Sequence, residues 1–279
     1  MKVAVTGATG FIGRHVVAAL LAQGAEVVAT ARTVGATFHA NERLRLVAAD
    51  IRDADLVVSK LGDPDVLIHL AWGGLPNYRS ETHLLSELPR QMAFLDACGR
   101  SGLRRLFVAG TCLEYGMQSG QLDEDMLAVP ITAYGQAKNQ LREHLQNMAN
   151  DGGPALTWLR LFYLYGPGQA ATSLYAQLRL AVTSGAREFA MSPGDQQRDF
   201  LPIEAAAAYI SALALGKSGE GIVNVCSGSP ISVADLAREW LHKWDSGLLL
   251  KLGIHPYPDY EPRYYWGNSQ KLDSLMSRL

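Results

Sequence analysis

A doubly wound parallel α/β sheet with a smaller C-terminal α+β lobe is the fold class this chain predicts, on three observations. Short β-rich runs alternate with helical periods through residues 1–165. Glycines cluster where the first β-rich run passes into the first helical period. After Gly166-Pro167-Gly168 the alternation loosens into helices separated by short strands. Strand–helix alternation joins parallel strands by helical crossovers, and that builds a sheet with helices on both faces. The expected division of the 279 residues is a sheet domain over 1–165 and a lobe over 166–279, some segments of the lobe returning to the sheet domain.

In order, strands are predicted over 2–6, 26–31, 44–48, 65–70, 104–109 and 156–162, and helices over 11–23, 83–101 and 133–149. Ala137, Leu141, Leu145 and Met148 give the last of these helices one buried face. A polar segment over 116–125 precedes it. In the lobe, helices are predicted over 173–184, 203–215 and 233–244, with short strands near 187–191 and 221–225. From Gly253 onward, Pro and Tyr predict an ordered but irregular cap.

Composition narrows the partners. Hydrophobic residues make up 48% and charged residues 19%, an ordinary globular balance. A net charge of -2 without a Lys or Arg run excludes a footprint for nucleic acid or an anionic membrane surface and favours a small polar ligand. MKVAVTGATG lacks a signal-peptide pattern, and no apolar run reaches the roughly 18 residues that span a bilayer, so the expected location is cytoplasmic. Cys98, Cys112 and Cys226 are scattered without metal-ligand spacing, so neither disulfides nor a metal are expected. Cys98 and Cys226 read as small buried hydrophobes.

The string Thr6-Gly7-Ala8-Thr9-Gly10-Phe11-Ile12-Gly13 lies where strand becomes helix. Glycines there allow the backbone to approach a pyrophosphate, and the helix N-terminus offers it unpaired N–H groups. Alone, such a triplet also suits any turn needing small residues. Between a strand and a helix it makes Gly7, Thr9, Gly10, Phe11, Ile12 and Gly13 a dinucleotide site of Rossmann type. An acidic residue about 20 positions further on would bind the adenosine ribose. The second strand ends instead in Thr30, Ala31 and Arg32. A guanidinium pairs bidentately with phosphate, so Arg32 favours NADP(H) over NAD(H), which stays open. A solvated loop arginine is the other use for Arg32, and Arg14 is a second phosphate partner.

Tyr134 and Lys138 stand four apart in the helix over 133–149, on one face and one turn apart. An ammonium beside a phenol favours the phenolate and is expected to bring Tyr134 from its usual pKa of about 10 toward a useful acid/base range. A surface helix with one buried phenol would show the same spacing. Here, however, the pair follows a strand ending in Ala109-Gly110-Thr111, and strand C-termini in such sheets face the ligand crevice. Thr111 is thus placed to hydrogen-bond a substrate oxygen beside Tyr134.

With these pieces the chain resembles the extended short-chain dehydrogenase/reductases, the epimerase, dehydratase and reductase family acting on sugar nucleotides. The resemblance spans nearly the whole length: TGATGFIG at 6–13, Asp50-Ile51, HLA at 69–71, Thr111 ahead of Tyr115-Gly116, YGQAK at 134–138, YGPG at 165–168 and RDF at 198–200. It implies that Asp50 and Ile51 flank the adenine and that Leu70 and Ala71 line the cofactor. It also implies that Lys138 holds the nicotinamide ribose, that Arg198 meets a substrate diphosphate, and that a homodimer forms through the helices over 83–101 and 133–149. A structural ion pair with Asp199 or Glu204 is the alternative use of Arg198, and a helix cap that of Asp50.

Departures from the family pattern shape the expected activity. Cys112 and Leu113 fill the places where dehydratases carry an Asp-Glu pair, which disfavours dehydration. Leu113, not Cys112, stands where an acid/base Cys would serve C3 and C5 epimerisation, so Cys112 reads as pocket lining. Tyr163 replaces a substrate-contacting Asn, and Glu204 stands where an Asp is usual. Thr111, Tyr134 and Lys138 suffice for two reactions, reduction of a ketosugar and C4 epimerisation through a transient ketone. Arg32 tilts the expectation toward an NADPH-dependent reductase of the C4 ketone of a nucleoside-diphosphate 4-keto-6-deoxyhexose. An NAD-dependent C4 epimerase is the alternative. A silent dinucleotide-sensing protein on the same fold is disfavoured by the presence of both Tyr134 and Lys138.

Overall fold

The computed structural model describes residues 1–32, 38, 40–216, 219–257 and 259–279. Strand β1 (Lys2–Thr6) runs through the glycine loop into helix α1 (Phe11–Ala22), followed by β2 (Glu26–Ala31), β3 (Leu44–Ala48), α2 (Ala54–Leu61) and β4 (Val66–His69). A π-helical turn (His83–Glu87) leads into α3 (Leu88–Arg100), then β5 (Arg105–Thr111), a 3-10 turn (Cys112–Tyr115), β6 (Gly120–Leu122), α4 (Ala133–Asn150), β7 (Ala155–Leu161) and β8 (Tyr163–Tyr165). There follow α5 (Leu174–Thr183), β9 (Glu188–Ala190), β10 (Gln197–Pro202), α6 (Ile203–Leu215), β11 (Gly221–Val225) and β12 (Pro230–Ser232). The chain closes with α7 (Val233–Lys243), β13 (Leu249–Lys251), β14 (Tyr265–Gly267) and α8 (Gln270–Met276).

Seven parallel strands form the main sheet in the order β11-β7-β5-β4-β1-β2-β3. From β1 the chain builds outward through β2 and β3, then crosses to the other side for β4. All seven strands end on one edge, and the gap between β1 and β4 at that edge is the switch point where such sheets bind ligands. There Thr6 pairs with His69 in register, and Thr6 Oγ1 lies 2.8 Å from His69 Nδ1. One face of the sheet is covered by α1, α6 and α8, through Val16, Leu20, Ile210 and Leu272. The other is covered by α2, α3 and α4, through Val57, Phe94, Leu141 and Leu145. Burial on both faces is why these strands read as unbroken apolar runs.

The C-terminal part holds β8, β10 and β12, with β10 parallel to β8 and antiparallel to β12. It has its own apolar cluster, including Leu178, Met191, Leu236 and Trp240. Two short parallel pairs, β9 with β13 and β6 with β14, complete it.

The strand β11 joins the main sheet beside β7; α6 packs on the α1 face and carries the chain back there. Three local expectations are corrected. The tail is not irregular throughout: β14 pairs with β6, and α8 buries Leu272 and Leu275. Its hydrogen-bond partners lie far away in sequence, so no local periodicity announces it. Helix α2 was not expected, because eight residues carrying Val57 and Val58 give a weak helical signal. The helix over 83–101 opens with a π turn, in which the Leu88 N–H reaches back five residues to His83 O just before Pro89, which has no N–H to give. All three cysteines are free and buried. Among the described residues no helix is long and apolar enough to cross a membrane.

Candidate active site

At the β1–α1 junction, Gly7 holds a positive φ of 67°, and a Cβ there would lie 2.8 Å from Ala71 N and 2.9 Å from the Leu70 carbonyl carbon. Glycine is therefore what lets the loop lie against the Leu70–Ala71 backbone. A Cβ on Gly13 would come within 2.2 Å of Gly7 O, so the first turn of α1 closes only without one. Gly10 N–H donates to Gly7 O at 3.0 Å. No side chain caps α1 at Gly10. Thr9, Phe11 and Ile12 complete a backbone cradle at the N-terminus of α1, where helix N–H groups have no intrahelical acceptor, and this fits a dinucleotide pyrophosphate.

Arg14 folds back on this loop, donating to Gly10 O at 3.2 Å and Thr9 O at 3.3 Å. Arg32 is exposed at the end of β2. Asp50 and Ile51 stand nearby after β3. The Asp50 carboxyl is held below its ordinary value mainly by the hydrogen bond from Arg52 at 2.7 Å, with the Arg32 charge a smaller contributor. Asp50 does not cap α2; Asp53 precedes that helix.

Thr111 ends β5, and Tyr134 and Lys138 lie in the first turns of α4. Thr132 caps that helix through its hydroxyl, which accepts from Gly135 N at 3.1 Å. A Cβ on Gly135 would stand 2.8 Å from Leu113 O, so glycine lets α4 close on the turn after Thr111. Thr111, Tyr134 and Lys138 are 7%, 8% and 2% exposed, so all three are largely shielded from water and only a small part of Thr111 and Tyr134 reaches the surface. The Lys138 ammonium donates to Ala109 O at 2.7 Å and sits 3.8 Å from the Trp72 ring centre. Tyr134 is packed among Trp72, Tyr78 and His83, with ring centres 5.7, 5.5 and 5.2 Å away. Trp72 Nε1 donates to His83 Nδ1 at 3.1 Å, which leaves His83 Nε2 to donate to Asn77 O at 2.9 Å.

Electrostatics here differ from the expectation drawn from spacing. The ammonium is turned to Ala109 O, 5.8 Å from the Tyr134 ring centre. Burial dominates and pushes the Tyr134 phenol well above its ordinary value, with Tyr78, Glu114 and Cys112 adding to it. Burial also draws Lys138 down to about 7, opposed by Glu114 and Glu87. The pair thus presents a neutral phenol with a proton to give. His69 is drawn down to about 3, first by burial and then by Lys138, and stays neutral between Thr6 and Gln91 Oε1, 2.5 Å away.

Beyond Thr111 lies a ring of phenols. Cys112 Sγ is 3.9 Å from Tyr265 Oη, which is 2.6 Å from Tyr163 Oη. Burial, then the Glu261 charge, pushes the Cys112 thiol up to about 12, so it is a neutral lining group. Arg198 is buried, stacks 4.7 Å from the Tyr265 ring centre and donates to Glu261 at 3.3 Å. Its ion-pair partner is thus Glu261, neither Asp199 nor Glu204. Asp199 instead accepts from the N–H groups of Ser227, Gly228 and Gly267.

Residues 3–226 match the NAD dependent epimerase/dehydratase family. The chain belongs to that family. Its enzymes include relatives along nearly the whole chain. It is 30% identical to a dTDP-6-deoxy-L-talose 4-dehydrogenase (NAD(P)(+)) of Kitasatospora kifunensis, covering 99% of this chain and 88% of that protein. It is 28% identical to a dTDP-6-deoxy-L-talose 4-dehydrogenase (NAD(+)) of Aggregatibacter actinomycetemcomitans, covering 96% and 99%. Among solved structures, UDP-glucuronic acid 4-epimerase from Bacillus cereus, in complex with UDP-glucuronic acid and NAD, aligns with a TM-score of 0.85 at 25% identity, covering 99% of this chain and 93% of that one. The protein is accordingly an oxidoreductase or epimerase of the epimerase/dehydratase family.

Within this family member the structure brings Thr111, Tyr134, Lys138, Leu70 and Ala71 to the β1–β4 edge, with Cys112, Tyr163 and Arg198 on the lobe side. Sequence reasoning missed Trp72, Tyr78, His83, Glu114, Glu261 and Tyr265. Trp72 directly follows HLA, and Glu114 is a lone charge between Leu113 and Tyr115; both were visible signals. Tyr265 and Glu261 come from the tail, and only tertiary folding brings them to Arg198.

Proposed function

We propose that this protein is an NADPH-dependent reductase of the C4 ketone of a nucleoside-diphosphate 4-keto-6-deoxyhexose. The observation that carries the reading is the make-up of the site where β5 ends against α4: the buried Thr111 hydroxyl on β5 and the buried Tyr134 phenol on α4, with Cys112 and Leu113 in the two places after Thr111. That set donates one proton and offers no carboxylate pair for eliminating water. The two 4-dehydrogenase relatives support it, because oxidation of a C4 hydroxyl run backwards is reduction of a C4 ketone.

The chemistry a nicotinamide would supply when bound at this edge is hydride for the ketone carbon. Tyr134 gives its proton to the ketone oxygen. The Thr111 hydroxyl accepts from Leu113 N at 3.2 Å, which leaves its own proton for the same oxygen. Lys138 spends one N–H on Ala109 O and keeps two for the nicotinamide ribose, while its charge steadies the phenolate that forms. Gly7, Thr9, Gly10, Phe11, Ile12 and Gly13 would hold the pyrophosphate, Asp50 and Ile51 would flank the adenine, and Arg32 would take a 2′-phosphate. Cys112, Tyr163 and Arg198 line the sugar and diphosphate end.

A C4 epimerase is the second reading, favoured by the likeness to the NAD-bound 4-epimerase. Loss of near-ultraviolet absorbance of NADPH, with NADH in parallel, over a panel of nucleoside-diphosphate 4-keto-6-deoxysugars separates the two. Stoichiometric loss with one sugar supports the reductase. No loss with any, together with interconversion of unreduced sugar nucleotides, supports the epimerase. The proposal includes a homodimer through α3 and α4, so the 30.3 kDa chain should elute at twice that mass; elution as a monomer contradicts it.

A further inference from the structure

Directly beneath the catalytic centre lies a buried carboxylate that the reaction above does not use. Glu114 is fully buried in the 3-10 turn after β5. Its Oε1 accepts from the Thr111 N–H at 2.8 Å and from Trp158 Nε1 at 3.0 Å. Its Oε2 accepts from Arg160 Nε at 2.9 Å and shares the Trp158 N–H at 3.1 Å. Arg160, 1% exposed, stacks 4.4 Å from the Tyr115 ring centre and donates to Glu124 O at 3.3 Å. Even Gly110 is part of this arrangement, since a Cβ there would lie 2.2 Å from Trp158 Nε1 and 2.7 Å from Glu114 Oε1.

We propose that Glu114 is a positioning residue for the reaction: its carboxylate locks the end of β5, which carries both Thr111 and the carbonyl that anchors Lys138, and supplies the negative charge against which Lys138 keeps its ammonium. This rests on the reductase reading. Two routes connect Glu114 to the chemistry. The mechanical route runs through three successive residues: Ala109 O holds Lys138, Gly110 makes room, and Thr111 is held by its N–H. The electrostatic route runs through low-dielectric protein. Of the charges raising Lys138 against burial, Glu114 comes first and Glu87 of the π turn second. The other groups around Lys138 are the neutral His69 on β4, Tyr134 one turn earlier on α4 and the Trp72 indole. Facing Glu114 from β7 are Arg160 and Trp158. The same carboxylate also favours the protonated form of Tyr134. Its service to the reaction is therefore through the lysine: the ammonium it keeps on Lys138 offsets the cost of the phenolate when Tyr134 gives up its proton.

The test compares pH profiles of kcat and KM for the parent, Glu114→Gln, Glu114→Asp and the charge-balanced double variant Glu114→Gln with Arg160→Gln. Glutamine keeps the shape and one acceptor oxygen for the Thr111 and Trp158 N–H groups but not the charge, and Arg160→Gln in the double variant removes the guanidinium donor that its amide nitrogen would face. The expected result for Glu114→Gln is a kcat about tenfold lower at pH 8, cofactor KM changed less than threefold, and the alkaline limb displaced downward by about one pH unit. The double variant should keep the displaced limb, and Glu114→Asp should restore it at least partly. The inference is overturned if the limb stays in place while only thermal stability falls, or if the double variant recovers the parent profile; Glu114 would then serve only to neutralise Arg160. A second readout needs no turnover: the pH above which apo-protein stability starts to rise, as Lys138 deprotonates, should move lower in the double variant. Should no keto sugar be reduced, the reductase reading falls, whereas an unmoved stability profile overturns the role of Glu114 by itself.

Discussion

Burial acts on Tyr134 and Lys138 in opposite senses, keeping the proton on the first and loosening it from the second. Replacing Tyr134 with Phe removes only the hydroxyl, so kcat should fall by about 10²- to 10⁴-fold while cofactor affinity, read by fluorescence titration, stays within threefold. A variant that keeps its rate would remove Tyr134 from the mechanism. Arg32→Ala should raise the KM for NADPH about tenfold and leave that for NADH nearly unchanged, the loss of one charge-assisted phosphate contact; equal effects on both would count against NADP(H). His69 bears on stability. Its folded-state pKa is depressed to about 3 against an ordinary value of 6.5, so below 6.5 the unfolded chain binds a proton that the native one refuses. Stability is present above that pH and lost progressively down to 3, by up to about 1.4 kcal/mol per pH unit. Urea midpoints between pH 7 and pH 5 should therefore fall less steeply in His69→Gln than in the parent. The candidate site at Tyr134, Lys138 and Thr111 is legible in the sequence, because spacing and position after a strand are local facts. It does not show that the ammonium turns to Ala109 O, which follows from how α4 packs on β5.

At the level of elements, β5 is the one on which the site depends, and its constraint is Gly110. Gly110→Ala would drive a methyl into Trp158 and Glu114, with an expected destabilisation of about 1–3 kcal/mol by urea unfolding. An unchanged midpoint would show that the strand can yield. Elements differ in how far their own residues announce them. Helix α6 and strand β11 coincide with the predicted 203–215 and 221–225, because each has a full apolar pattern of its own. β8, β12, β13 and β14 are three residues each, and α2 has eight. Such short pieces are specified by partners distant in sequence, as β14 is by β6. The π turn follows from the register of Pro89 and the packing of His83, neither of which a helical period reveals.

For the whole molecule, the order of the strands puts the glycine loop, the HLA segment and the Thr111 end of β5 on one edge, and this much follows from the alternation of strand and helix. How the C-terminal part closes over that edge does not, since its phenols, Arg198 and Glu261 meet only through the fold of the tail. The tail also closes the core, and Leu272→Ala on α8 should cost about 2–4 kcal/mol. The most direct test of the central claim is a turnover with NADPH carrying deuterium at the transferable C4 position and the accepted nucleoside-diphosphate 4-keto-6-deoxyhexose. The account predicts one deuterium at C4 of the sugar product, one equivalent of NADP⁺ released, and loss of both in Tyr134→Phe. Sugar epimerised at C4 without deuterium and without net cofactor oxidation would contradict it.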